Sequence, residues 1–142
     1  MSGPVLVTGA SSGIGAGIVE VLCQAGYQVH AVARRQNRLE ALRTRTGCDI
    51  HALDVTDSNA VSQIIAKVQP EIVICNAGKG AGFEGIAGTS RKDIAQTVEL
   101  NVTATLDLVR QCLPGMIKRG KGHIVTLGSV AALYPSTSAL YG

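Results

Sequence analysis

Short apolar runs alternate along this chain with longer stretches whose apolar residues recur every three or four positions. The short runs are rich in β-branched residues and read as buried strands, while the periodic stretches read as amphipathic helices. Val5–Thr8 is the first strand, ended by Gly9. Ile14, Ile18, Leu22 and Ala25 mark a helix over Ile14–Ala25, stopped by Gly26. Gln28–Ala33 is the second strand. Arg35–Arg45 is the second helix, with Leu39 and Leu42 facing inward and Gly47 past its end. His51–Leu53 is a short third strand. Asp57-Ser58 opens a third helix through Val61, Ile64, Ile65 and Val68, ending before Pro70.

Ile72–Cys75 is the fourth strand, and the Gly/Ala-rich segment Asn76–Gly88 reads as a loop. Thr89-Ser90 can cap one long helix reaching Arg119, with Pro114 a candidate kink near its end. His123–Leu127 is the fifth strand, Gly128–Ser138 a loop, and Ala139–Gly142 the start of a helix. Strands alternating with helices imply right-handed crossovers and one parallel sheet. The expected fold is α/β: a doubly wound sheet in three layers, strand order 3-2-1-4-5, forming a single domain over residues 1–142.

Composition agrees with that architecture. Hydrophobic residues make up 46% of the chain and aromatics only 3%, so the core has to be aliphatic, as a sheet covered on both faces requires. The net charge is +3, and its basic clusters (34–45 and 118–121) carry no interleaved aromatics, which argues against nucleic acid. Cys23, Cys48, Cys75 and Cys112 are widely spaced, with no metal-type pairing, and read as reduced thiols. With no long apolar run and no signal-type segment before Val5, no membrane partner is expected, and a cytoplasmic setting is.

The candidate chemistry begins at Thr8-Gly9-Ala10-Ser11-Ser12-Gly13-Ile14-Gly15. Glycines at 9, 13 and 15 allow a sharp turn and a close approach, and the helix that follows aims unpaired N–H groups out of the loop. Placed between a strand and a helix, this is an anion site suited to the pyrophosphate of a dinucleotide. After the second strand, where an acidic residue would bond the adenosine ribose, the chain has Arg34-Arg35 instead. Guanidiniums there fork onto a 2′-phosphate, which favours NADP(H) over NAD(H).

Asp54-Val55 follows the third strand, where Asp can accept from an adenine amino group or simply close the loop. Asn76-Ala77-Gly78 follows the fourth, where small residues permit backbone contact with a ribose and Asn can tie strand ends. Ser129 lies after the fifth strand, Tyr141 lies twelve positions on, and Asn101 sits inside a helix, where Asn is a poor helix former. A Ser hydroxyl can orient a carbonyl and a Tyr phenol can exchange a proton. Each also has an ordinary structural reading.

Together these pieces resemble the short-chain dehydrogenase/reductase family, of the type with one Rossmann-like domain, over Val5–Gly142. The resemblance implies that Gly9, Ser11, Ser12, Gly13, Ile14 and Gly15 frame the pyrophosphate and that Arg34 and Arg35 hold the 2′-phosphate. It implies Asp54 and Val55 at adenine, and Asn76, Ala77 and Gly78 near the ribose. Ser129 would position a small-molecule alcohol or carbonyl, Tyr141 would be the acid/base, and Asn101 would hold a water in the proton path. No metal is implied.

Family members usually continue beyond this point, with further strands and a Tyr-x-x-x-Lys lysine. That lysine has no counterpart up to Gly142, and Lys79 is a candidate substitute. The spacing from Ser129 to Tyr141 is also one residue short of the family's. Without further strands, the fifth becomes an open sheet edge. Self-association is then expected through the long helix 90–119, the strand 123–127 or both, with Leu106, Val109 and Leu113 the exposed patch. The expected function is an NADP(H)-dependent oxidoreductase. The alternatives are a dinucleotide-binding remnant and one half of a split protein.

Overall fold

A computed structural model describes residues 3–80, 85–130 and 133–134. Five parallel strands form one sheet in the order β3-β2-β1-β4-β5: β1 Val5–Thr8, β2 Val29–Ala33, β3 Asp49–Ala52, β4 Ile72–Cys75 and β5 His123–Thr126. The order reverses between β1 and β4, which opens a crevice at the C-terminal ends of these strands.

Alternation along β1 explains the layers. Val5 and Val7 project into one cluster with Val29, Ala31, Leu39 and Leu42. Leu6 projects into the other, with Val32, Val61, Ile64, Val73, Leu108 and Met116. The first cluster is covered by α1 (Gly13–Gln24) and α2 (Gln36–Thr46), the second by α3 (Ser58–Val68) and α5 (Ala104–Arg119). Each fully buried Val or Leu contributes about 1.5–3 kcal/mol, so these two aliphatic layers are the main stabilising term.

Helix ends follow their sequence signals. Gly47 and Gly120 end α2 and α5 in the left-handed conformation. Asp57 caps α3 by accepting from the Asn59 and Ala60 N–H groups. Ser90 caps α4 (Arg91–Val98) by accepting from the Asp93 N–H.

Several expectations need correction. The third strand starts earlier, at Asp49, because residues 49–52 pair with β2 while Leu53 lies past the strand's end. A 3-10 turn, Ile86–Gly88, occupies the end of the expected loop after β4, and residues 81–84 lie outside the described residues. The long helix 90–119 is not continuous: a π-helical turn, Glu99–Thr103, separates α4 from α5. Pro114 does not interrupt α5. Val109 is half-buried against the second core cluster, so the exposed apolar stripe comprises Val98, Val102, Leu106, Leu113 and Ile117. The expected helix start at 139–142, with Tyr141, lies outside the described residues.

Candidate functional site

The site is built where β1, β2, β3 and β4 end. After β1 the chain turns at Gly9, whose φ is +67°. A Cβ at Gly9 would stand 2.7 Å from Asn76 Nδ2 and 2.8 Å from Ala77 Cα, and one at Gly15 would collide with Asn76 Nδ2 and Gly9 O. The glycine loop and the β4 turn therefore pack backbone on backbone. Thr8 and Asn76 sew them together. Thr8 Oγ1 accepts from the Asn76 and Ala77 N–H groups (3.1 Å each), and Asn76 Nδ2 donates to Thr8 O (2.9 Å) and Gly9 O (3.2 Å). Asn76 thus ties strand ends through its side chain.

Ser12 stands at the N-cap of α1 yet makes no capping bond. Its hydroxyl accepts instead from Arg35 Nη2 (2.7 Å). Ser11 Oγ accepts from Arg35 Nη2 (2.8 Å) and Nε (3.1 Å). The consequence is chemical: the first N–H groups of α1 have no side-chain cap, and a guanidinium is held against the loop they open onto. Arg34 takes a different partner, with Nη1 3.5 Å from Asp54 Oδ2. Asp54 Oδ1 accepts from the Thr56 N–H and hydroxyl. Partial burial works to raise the Asp54 carboxyl, but the Thr56 hydrogen bonds and the Arg34 charge outweigh it and hold the group below its ordinary range.

A cavity of 320 Å³ runs between these groups. It is lined by Gly9, Ser11, Ser12, Ile14 and Gly15, by Arg34 and Arg35, by Asp54 and Val55, and by Asn76, Ala77 and Gly78. Ile14 is 68% exposed in the first turn of α1, an apolar side chain left open over this cavity. Gly13 is absent from the lining and serves as the left-handed start of the helix, φ +56°. The glycine cradle, the uncapped helix start and the clasped guanidinium fit a dinucleotide carrying phosphates.

Ser129 and Asn101 come together on a second cavity of 500 Å³, which shares Asn76, Ala77 and Gly78 with the first. Tyr141 lies outside the described residues. Asn101 sits in the π turn, and both ends of its amide are engaged by the backbone of Lys79. Oδ1 accepts from the Lys79 N–H (3.0 Å) and Nδ2 donates to Lys79 O (2.9 Å). This accounts for Asn inside a helix, and it turns the side chain toward the β4 loop. Lys79 Nζ donates to Gln96 Oε1 (3.0 Å) and lines a third cavity, with Arg34 and Asp54. Its ammonium therefore stands on the Arg34 side of the crevice and does not line the Ser129 cavity.

Sequence reasoning assigned no role to Thr8, although a Thr between a strand and the first glycine was a visible signal. It also missed Leu100, which walls the first cavity and whose placement depends on the π turn.

Comparison with known proteins places this geometry. The profile of the family described as short chain dehydrogenase matches residues 4–141. The chain belongs to the short-chain dehydrogenase family. A serine 3-dehydrogenase of Agrobacterium fabrum is 37% identical across 95% of this chain and 57% of its own length. An NADP-dependent 3-hydroxy acid dehydrogenase of Escherichia coli is 35% identical across 92% of this chain and 56% of its own. The chain thus spans little more than half the length of these family members. Among solved structures, the closed form of a serine dehydrogenase complexed with NADP+ superposes with a TM-score of 0.90 at 34% identity, covering 95% of this chain and 57% of that one. A metagenomic short-chain oxidoreductase in complex with NADP gives 0.90 at 28% identity, covering 98% of this chain and 67% of that one. The Rossmann-like fold is therefore the family's.

Among the described residues, no helix is long and apolar enough to cross a membrane, and no group of His, Cys, Asp and Glu could hold a metal ion. The four cysteines are free thiols. Burial pushes Cys75 up to about 11 and Cys112 up to about 12, so neither is a nucleophile at neutral pH.

Proposed function

We propose that this chain is an NADP(H)-dependent oxidoreductase that interconverts a secondary alcohol and a carbonyl. The observation that carries the reading is Arg35 clasped onto Ser11 and Ser12, with Arg34 beside it on the same cavity. An exposed guanidinium held by neutral hydroxyls keeps its full charge for an anion, and a 2′-phosphate is the anion a dinucleotide offers there. The NADP named for an Escherichia coli relative and for structural neighbours supports the same choice.

When bound, the cofactor supplies hydride exchange at C4 of its nicotinamide. The remaining work falls to the chain. The Ser129 hydroxyl orients the substrate oxygen. As the alcohol C–H bond breaks, its hydroxyl proton has to leave, and Tyr141 takes it; in reduction Tyr141 gives it back. The Asn101 amide holds the backbone of Lys79 through both its ends, and from the π turn Asn101 would hold a water in the proton path. The names of two relatives, a serine 3-dehydrogenase and a 3-hydroxy acid dehydrogenase, favour a 3-hydroxy acid as substrate.

The test is NADPH and NADH binding, measured beside NADPH oxidation with a panel of aldehydes, ketones and 3-oxo acids. Selective NADPH binding with turnover supports the reading. Binding without turnover supports a dinucleotide-binding module. Turnover that appears only with a co-purifying second chain supports a split protein. Preference for NADH, or no binding, overturns the assignment.

We further propose self-association through the stripe Val98, Val102, Leu106, Leu113 and Ile117. Ile117 is 74% exposed, so Ile117→Glu removes little packing and is expected to change stability by less than about 0.5 kcal/mol. In light scattering the unmodified protein should give an oligomer mass, and Ile117→Glu a smaller one. A monomer at micromolar concentration for the unmodified protein would refute the interface.

A further inference from the structure

The sheet carries a titratable pair outside the dinucleotide cavity. His30 on β2 and His51 on β3 project from the face that α3 covers, and His30 Nδ1 lies 3.1 Å from His51 Nε2. The ring centroids are 5.3 Å apart with planes inclined by only 25°. That separation is nearly the largest compatible with facing nitrogens at hydrogen-bond distance. The contact is therefore edge to edge, an N–H of one ring donating to the lone pair of the other. His30 is 8% exposed, and among the described residues β3 is an edge strand paired with β2 alone. Asp49 on β3 stands 3.7 Å from His30 Nδ1, and Lys67 on α3 is the other charge acting on both rings.

We propose that His30 and His51 are positioning residues for the adenosine end of the dinucleotide site, forming a proton-sensitive clamp between β2 and β3. The inference rests on the reading of that site as a dinucleotide site. One proton between the facing nitrogens makes the bond, whereas a second makes both of them donors and breaks it. Beyond the clamp, β2 runs into Arg34 and Arg35 and β3 into Asp54 and Val55, which line the same cavity. Past the ladder pairs Val32–His51 and Ala33–Ala52, the bond from the Leu53 N–H to Ala33 O (3.0 Å) and the Arg34–Asp54 pair join the two ends. Opening the clamp therefore loosens two walls of the cavity together.

Burial lowers both rings from the ordinary 6.5. The opposing histidine and Lys67 lower His51 further, while Asp49 works the other way on both. The folded chain thus binds these protons less tightly than the unfolded one. The clamp's contribution is complete above pH 6.5 and is lost as pH falls below it through the lowered folded values.

Three measurements test this. In the unmodified protein, the histidine ring resonances should titrate as a coupled pair below the ordinary value. Amide exchange in β3 should accelerate over the same range relative to β1. In NADPH titrations, affinity should fall between about pH 8 and pH 5.5 by about five- to tenfold more in the unmodified protein than in His51→Gln, whose amide retains a hydrogen bond without titrating. The 2′-phosphate itself titrates near pH 6, so the difference between the two proteins is the reading. Parallel affinity profiles, or two rings titrating independently at the ordinary value, would overturn the clamp. If NADPH binds neither protein at any pH, the dinucleotide reading fails, and ring titration with β3 exchange still decides whether the clamp exists.

Discussion

Replacing Arg34 and Arg35 together by Ala is expected to weaken NADPH binding about 100-fold while changing NADH binding less than about threefold. The asymmetry follows from what each guanidinium touches. Arg35 is held by Ser11 and Ser12 at the mouth of the glycine loop, and its hydroxyl partners are neutral. Its charge is therefore uncompensated until a phosphate arrives. Arg34 is opposed by Asp54, so part of its charge is already screened. Of the single variants, Arg35→Ala should therefore cause the larger loss. Both residues are exposed, so the NADPH advantage should shrink as salt is raised. Isothermal titration of each variant with both cofactors gives the comparison. Equal losses for NADPH and NADH would mean that the arginines shape the loop without reading the 2′-phosphate.

Gly9→Ala should destabilise the protein by about 2–5 kcal/mol, which lowers the melting temperature by about 6–15 °C. Two costs add. The φ of +67° is unfavourable for any residue with a Cβ. The new methyl also meets Asn76 Nδ2 at 2.7 Å and Ala77 Cα at 2.8 Å, and one of these neighbours is backbone that cannot step aside. Asn76 would be pushed off Thr8 O and Gly9 O, so dinucleotide affinity should fall with stability. Gly13→Ala isolates the first cost, because its φ is +56° and open space surrounds it; about 1–2 kcal/mol is expected. Gly17→Ala has neither cost inside α1 and should stabilise by about 0.5–1 kcal/mol. Thermal and denaturant unfolding of the three variants rank these effects. A Gly9→Ala protein as stable as Gly17→Ala would refute the close approach of the two loops.

Much of the lining of the first cavity was legible because local signals sit at element ends. Gly9, Ser11, Ser12, Arg34, Arg35, Asp54 and Asn76 all stand where a strand hands over to a loop, and parallel topology gathers those ends at one crevice. Asn101 reads from sequence as a misfit in a helix, but its partner has no local signal. The partner is the backbone of Lys79, far back in the chain, and the π turn that presents Asn101 has no sequence signature of its own. Leu106, Val109 and Leu113 share a helix side by spacing alone, and it is the packing of α5 on the second core cluster that half-buries Val109 and leaves Leu106 and Leu113 exposed. Lys79 shows the same limit, since nothing local says that its ammonium turns to Gln96.

Periodicity and glycine placement by themselves determined the alternation of strands and helices, the aliphatic double-faced sheet and the glycine turn after β1. These depend on neighbours close in sequence, where backbone preference and hydrophobic spacing act directly. Tertiary structure alone decided the partners. It set Ser12 against Arg35, set His30 on β2 against His51 on the edge strand β3, and brought Ser129 to the same cavity as Asn101. Such contacts depend on strand order and register, which fix which distant side chains share one face, and no spacing along the chain encodes them.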